Sequence, residues 1–344
     1  MDFFVWQMEQ HLDAASRRLG MLIGADGEGL IFVDNATYGM NVVATSIESH
    51  AGEEVLTTNH EYDAVLRIWR RACKRSGAKL VVRRLPEPIV SAEEIVESFM
   101  RGVTNRTRLI VVSHIRSPTA LILPVEGICL LARALGVSVC IDGPHAPAMI
   151  PVNLRTLNYD FYTASCHKWL CAPFGTGFLY VSRRHRRNLK SPVVSWGRSL
   201  GGRSGNWKDE FNWEGTRDPV AFLAVPAAID ILESAGFDEF RTRTHKLARY
   251  ARGRLTEYSG LDAIAPDRKE WYGSMITLPI AAANDGPPKH GRSDPLQDAL
   301  WEQFRIEVPV IHWRGRRFVR ISCHLYNDRH DIDRLVEALN RLLG

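Results

Sequence analysis

Short, continuous apolar runs recur along the first part of the chain, separated by stretches whose apolar positions return every three or four residues. Leu30–Asp34, Lys79–Arg83, Leu109–Ser113, Val137–Asp142, Tyr159–Ala164 and Gly177–Val181 are rich in β-branched and aromatic residues and read as strands. Ala64–Lys74, Ala92–Met100 and Val125–Leu135 carry the helical period, and Gly136 closes the last of them. Strands that are apolar throughout, alternating with helices, predict a mostly parallel sheet covered on both faces, the pattern of an α/β domain.

The pattern changes after Asp218. Val220–Ser234 predicts one long Ala-rich helix and Asp238–Tyr258 a second, closed by Gly260. A strand over Ser274–Pro279, a Gly/Pro-rich loop over 285–295, a helix over Leu296–Phe304, a strand near Phe318–Cys323 and a final helix over Asp331–Leu343 follow. The expected organisation is a large α/β domain over residues 1–235 and a smaller α+β domain over 236–344.

Composition narrows the function classes. Lys and Arg number 44 against 39 Asp and Glu, and the basic runs Arg183–Arg187 and Arg314–Arg317 carry no aromatic–basic nucleic-acid motif, so no nucleic-acid partner is expected. The six cysteines are scattered through apolar runs, as buried reduced thiols are. Cys166, His167 and Cys171 lack a second ligand pair at zinc-like spacing, so no metal is expected. The first residues, MDFFVWQMEQHLDAASRRLG, read as an amphipathic helix and lack the basic start and apolar core of a signal peptide. The apolar stretch from Leu121 to Ile141 is broken by Pro124, Glu126 and Arg133, which argues against a membrane span, and a cytoplasmic protein is expected.

Two residues carry the candidate chemistry. Asp142 ends a buried-type strand, and open α/β sheets bind ligands at that end. Lys168 lies 26 positions later, just past the next strand and ahead of a Gly-rich turn, FGTGFLYV, so carboxylate and amine can converge on one pocket. A desolvated lysine offers a neutral amine for imine formation with an aldehyde. An aspartate facing a pyridine nitrogen keeps it protonated, so that the ring accepts electrons released at a substrate α-carbon. Asn35–Asn41 (NATYGMN), with Thr37 and Tyr38, lies between a strand and a helix, where backbone N–H groups and a hydroxyl can meet a phosphate; a simple helix cap is the alternative. His145 and Tyr62 can contact the ring or its phenolic oxygen, or be structural.

The block from Asp142 to Val181 (IDGPHAPAMIPVNL, DFYTASCHKWLCAPFGTGFLYV) resembles the class V aminotransferases, and most nearly their isopenicillin N epimerase-like branch. NATYGMN, VVSHIRSPTALILPV, WEGTRDP and RISCHLYN add to the resemblance, in the family's order. It implies the PLP-dependent transferase (aspartate aminotransferase-like) fold, pyridoxal 5′-phosphate (PLP) as cofactor and an amino acid as substrate. It further implies Lys168 as the Schiff-base lysine and proton carrier, Asp142 as partner of the pyridinium, and His145 as donor to the phenolic oxygen. Tyr62 matches the aromatic that stacks on the ring; Thr37, Ser165 and His167 match phosphate contacts, with Tyr38 beside them. Thr216 matches a phosphate contact donated by a partner subunit, which implies a homodimer. Arg320 matches the carboxylate-binding arginine, and His114 is a candidate on the substrate side.

The sequence departs from the family's pattern in two places. The Asn-His-Gly-like segment expected before the first helix is not found ahead of MDFFVWQ, and Arg116 stands where a smaller residue is expected, either charging the pocket or pointing to solvent. Three reactions compete. Epimerisation needs a proton removed on one face and returned on the other; His114, Tyr62 or water could assist Lys168. Desulfuration by a cysteine nucleophile is disfavoured, because the loop before the arginine strand, IHWRGRRF, has no cysteine and Cys323 sits in the strand; a C–S lyase without that thiol stays open. Transamination is not excluded, and a non-catalytic homologue is a further alternative, against which the joint presence of Lys168, Asp142 and Arg320 speaks.

Overall fold

The computed structural model describes residues 2–157, 159–195, 197, 206–282, 288 and 292–344; part of the predicted 285–295 loop lies outside them. The chain divides into two compact units. One holds the chain up to Ala235 except two short segments, and the other holds Glu87–Val90, Arg116–Ile122 and Gly236–Gly344.

The larger unit is built on a seven-stranded sheet in the order β1-β7-β6-β5-β4-β2-β3. The strands are β1 (Leu30–Val33), β2 (Glu54–Thr58), β3 (Lys79–Arg83), β4 (Thr107–Ser113), β5 (Ser138–Asp142), β6 (Phe161–Ser165) and β7 (Gly177–Val181). From β3 to β6 all neighbours are parallel, and β7 pairs antiparallel with both β6 and β1. Its helices are α1 (Met8–Ile23), α2 (Ala36–Ser46), α3 (Asp63–Ser76), α4 (Ala92–Met100), α5 (Val125–Ala134), α6 (Asp209–Asn212), α7 (Val220–Leu223) and α8 (Val225–Ser234). The predicted strands and helices are present, with ends that differ by one or two residues.

Two elements depart from the reading of the pattern. The strand β2, EVLTT, is half polar and gave no apolar run, yet all five residues are buried. Two of its three polar side chains find partners: Glu54 meets Arg106 and the Thr104 hydroxyl, and the Thr58 hydroxyl donates to Glu61, while the Thr57 hydroxyl meets none among the described residues. The helix expected over Val220–Ser234 is divided at Ala224, two residues before Pro226. Proline has no N–H to give and crowds the carbonyl four residues back, so a helix restarts there more easily than it continues.

The apolar face of α2 and α3 packs on the sheet through Met40, Val43, Val65 and Trp69 against Val55, Leu109, Val111 and Cys140. The fit is tightest at Gly39. A methyl group there would stand 2.2 Å from Thr163 Oγ1, and that hydroxyl is held by the carbonyls of Ala36 and Phe178. The start of α2 therefore lies directly on β6.

The smaller unit carries α9 (Phe237–Ser259), α10 (Pro295–Phe304) and α11 (Arg329–Leu343) around a three-stranded antiparallel sheet, β8 (Met275–Ile280), β10 (Arg316–Ser322) and β9 (Val310–Trp313) in that order. The strand β9 was not anticipated. It forms a hairpin with β10, in which Trp313 pairs with Arg316 and only Arg314 and Gly315 turn the chain, at φ 51° and 71°. Positive φ at both central residues fits the type I′ turn that matches strand twist.

Replacing Gly39 by Ala is expected to destabilise the protein by about 1–3 kcal/mol through overpacking against Thr163, measured by urea unfolding; an unchanged midpoint would show that the helix can slide away without cost.

Candidate active site

The parallel strands deliver their carboxyl ends to one edge of the larger unit. Ser113 of β4 stands beside Asp142 of β5, and Asp142 beside Thr163 of β6. After β5 the chain turns at once: the Gly143 amide donates to the Thr163 carbonyl, and the Ala146 amide to the Gly143 carbonyl. Residue 143 has to be glycine, since a Cβ would stand 2.3 Å from the Tyr162 hydroxyl. The turn carries His145. After β6 a second turn, in which the Cys171 amide donates to the Lys168 carbonyl and the Ala172 amide to the Cys166 carbonyl, carries Lys168 and Trp169.

The two turns meet. Lys168 Nζ lies 3.1 Å from His145 Nε2, and the Trp169 indole N–H donates to His145 Nδ1 over 3.3 Å. An indole nitrogen only donates, so Nδ1 must be the accepting nitrogen, and a neutral His145 carries its proton on Nε2. The imidazole thus offers an N–H on the side where the lysine amine lies.

Asp142 is 3 % exposed, and among the described residues no hydrogen-bond donor reaches its carboxylate. Burial pushes its carboxyl up to about 7; the charge of Glu61 adds to the rise and that of Lys168 opposes it. A buried acid of this kind calls for a donor that the described residues do not supply. A protonated pyridine nitrogen answers that demand, and the lysine amine with the His145 N–H answers an aldehyde and its neighbouring phenolic oxygen. The residues present therefore fit PLP.

At the start of α2 the Asn35 side chain caps the Tyr38 amide and the Ser165 hydroxyl accepts from the Ala36 amide. Ser165 is thereby fixed against this helix end, and Thr37 beside it is exposed. His167, half-buried, bonds through Nδ1 to the Thr176 carbonyl, 3.1 Å away. Tyr38 turns elsewhere: its hydroxyl donates to Glu214 at 2.6 Å, and Glu214 also receives Arg217. Thr216, in the same WEGTRDP segment, is exposed.

His114 is buried with Nδ1 2.9 Å from the Tyr162 hydroxyl, and burial lowers its pKa to about 4. Tyr62 precedes α3 and is 49 % exposed, with the described side chains leaving half its ring open. Its neighbour Glu61, by contrast, is buried and accepts the Thr58 and Ser113 hydroxyls. Sequence reasoning passed over Glu61. The signal that could have found it was strand β2 itself, since an acid just past a parallel strand stands at the ligand-binding edge.

The smaller unit holds Arg320, on β10. Its Nη1 donates to the Ser117 carbonyl and hydroxyl at 2.9 and 2.7 Å. The adjacent Arg116 does not point to solvent. It is fully buried, donates to the Thr119 hydroxyl and lies 5.0 Å over the Trp313 ring. Five of the six cysteines are buried, and burial pushes the Cys166 and Cys323 thiols up to about 12. The exposed one, Cys171, also has its thiol raised by partial burial. Among the described residues no group of His, Cys, Asp or Glu is arranged to hold a metal ion.

A family model described as Aminotransferase class-V matches residues 3–335. The chain is 36% identical to an isopenicillin N epimerase of Amycolatopsis lactamdurans over 99% of its own length and 87% of that protein's, and 35% identical to the enzyme of the same name from Streptomyces clavuligerus. A putative L-cysteine desulfhydrase of rice is 29% identical, over all of this chain and 77% of that protein. Among solved structures, a cysteine desulfurase from Escherichia coli superposes with a TM-score of 0.81 at 22% identity, covering 97% of this chain and 84% of that one.

The buried groups oppose one another in their effect on stability. His114 takes up its proton near 6.5 when unfolded and near 4 when folded, so its contribution falls as pH drops from about 6.5 to about 4. Asp142, with its folded carboxyl raised, works the other way, and its contribution falls as pH rises from about 4 to about 7. Replacing His114 by Gln is expected to remove the acid-side loss, leaving stability that rises on going from pH 6.5 to 4. Urea midpoints across that range that keep the wild-type slope would show that His114 is protonated without penalty.

Proposed function

We propose that this chain, which belongs to the class V aminotransferase family and is a PLP enzyme, epimerises an amino acid at its α-carbon. The observation that carries the reading is the meeting of Lys168 Nζ with His145 Nε2 beside the buried Asp142. When bound, PLP supplies the electron sink for carbanion character at that carbon. Lys168 holds the cofactor and then moves the proton at the α-carbon. Asp142 keeps the ring nitrogen protonated, and His145 donates to the phenolic oxygen from the nitrogen that Trp169 leaves protonated. Thr37, Ser165 and His167 bind the phosphate, with Tyr38 positioning the helix start through Glu214. Tyr62, half-exposed, covers the ring, and Arg320 takes the substrate carboxylate with a guanidinium already oriented by Ser117. Thr216 serves the phosphate of a second copy, so the working enzyme is a homodimer.

Epimerisation needs a second proton carrier for the opposite face. His114 fits this role: it is neutral near pH 7 and backed by the Tyr162 hydroxyl. A lyase reading has the support of the desulfhydrase relative at 29% identity. Cys323 does not offer a sulfur-accepting thiol: it is buried with its thiol held protonated, and the turn ahead of the arginine strand has two residues, neither a cysteine. No single helix among the described residues is long and apolar enough to cross a membrane.

Incubation of PLP-loaded protein with candidate amino acids in heavy water is expected to give deuterium at the α-carbon together with inversion, followed by NMR and chiral chromatography. Sulfide or pyruvate release without inversion overturns the epimerase reading. Lys168→Ala is expected to abolish both exchange and the visible absorbance of the loaded protein. For Arg320→Ala, KM should rise at least ~10-fold, the loss of a charge-assisted hydrogen-bond pair, with PLP affinity unchanged; equal loss of both assigns Arg320 to structure alone.

A further inference from the structure

Glu61 is a second buried acid at the same edge of the sheet, and the mechanism above leaves it without a task. It follows β2 and is 4 % exposed. Thr58 Oγ1 donates to its Oε1 at 2.6 Å and Ser113 Oγ to its Oε2 at 2.5 Å. Two hydroxyl donors, one on each oxygen, favour the carboxylate over the acid. They do not cancel its charge. Ser113 is also the residue that pairs with Asp142 across β4 and β5, so the same hydroxyl that fixes Glu61 ties it to the strand position next to Asp142.

The other groups facing Asp142 do not offset that charge symmetrically. Among the described residues Lys168, from the turn after β6, is the cation acting on it, whereas Glu61 adds a like charge. Cys140 on the same strand and Tyr162 on β6 are pushed well above their ordinary values by burial and stay neutral. His114 presents its backbone amide to the Asp142 carbonyl and is itself neutral above about 4. Among the described groups acting on Asp142, Glu61 adds a negative charge and Lys168 a positive one, before a cofactor brings its own proton.

We propose that Glu61 is a positioning residue of the cofactor site: its fixed negative charge, acting through Asp142, holds a proton between that carboxylate and the cofactor's ring nitrogen. The inference rests on the reading that Asp142 meets the ring nitrogen, and adds to it. A single carboxylate would share the proton and, as pH rises, give it up. A second carboxylate behind the first makes loss of that proton electrostatically costly, because it would leave two buried negative charges side by side. Glu61 thereby keeps the ring electron-accepting without touching the cofactor.

The test compares wild type with Glu61→Gln, Glu61→Asp and Asp142→Asn. In cofactor-free protein, the infrared band of the protonated buried carboxyl reports Asp142 directly. It is expected to titrate with a midpoint of about 7 in wild type and to vanish in Asp142→Asn. In Glu61→Gln the midpoint should fall by about one pH unit, and PLP affinity, from fluorescence quenching, should weaken about 3- to 10-fold, the size of one neighbouring charge. Glu61→Asp, which keeps the charge, should stay within twofold of wild type in affinity. If Glu61→Gln fails to fold, Ser113→Ala, which loosens Glu61 without removing it, should move the midpoint in the same direction by less. A Glu61→Gln protein with wild-type midpoint and affinity, alongside an impaired Asp142→Asn, overturns the role of Glu61 alone. An Asp142→Asn protein with undiminished PLP affinity overturns the underlying assignment of Asp142, and the role of Glu61 with it.

Discussion

A buried carboxylate to which no donor among the described residues hydrogen-bonds is the constraint around which the larger unit is organised. Asp142 sits at the end of a strand whose middle residues, Val139 to Ile141, are apolar and buried, where an ionised group is costly. Everything next to it manages that cost. The parallel register places Ser113 and Thr163 on either side, Gly143 gives the chain room to turn away over Tyr162, and the next turn brings back a lysine. The site is the place where the fold has left a charge to be completed by something else, and a protonated aromatic nitrogen completes it.

Much of this architecture was legible in the order of residues. Strands buried on both faces announce themselves as unbroken apolar runs, and VSVCID and YDFYTAS gave both the sheet and the two ends on which Asp142 and Lys168 stand. The motifs from NATYGMN to RISCHLYN identified the family, which the match over residues 3–335 shows. What the pattern could not show were elements whose polar residues are satisfied internally. The strand EVLTT buries a carboxylate whose partners, Thr104 and Arg106, lie far along the chain, and periodicity is blind to such partners. Glu61 was hidden for the same reason. Arg116 looked like a surface or pocket charge until its packing over Trp313 was seen; a guanidinium can be buried where an aromatic face and a hydroxyl receive it.

The placement of protons within the site is also a tertiary property. That His145 carries its hydrogen on Nε2 follows from Trp169, and that His114 stays neutral follows from burial against Tyr162. Neither could be derived from spacing. Both depend on residues whose sequence neighbourhood reads equally well as ordinary core. The cofactor brings reactivity common to many enzymes, so the choice of reaction is left to such local arrangements: which nitrogen donates, which acid is charged, which thiol stays protonated.

The hairpin between β9 and β10 has an implication for how far this corner can move. Two residues at positive φ turn the chain and no more, so this corner has no reach. A turn this short cannot travel, so Trp313 and Arg316 stay paired and the corner moves only with the sheet that carries it.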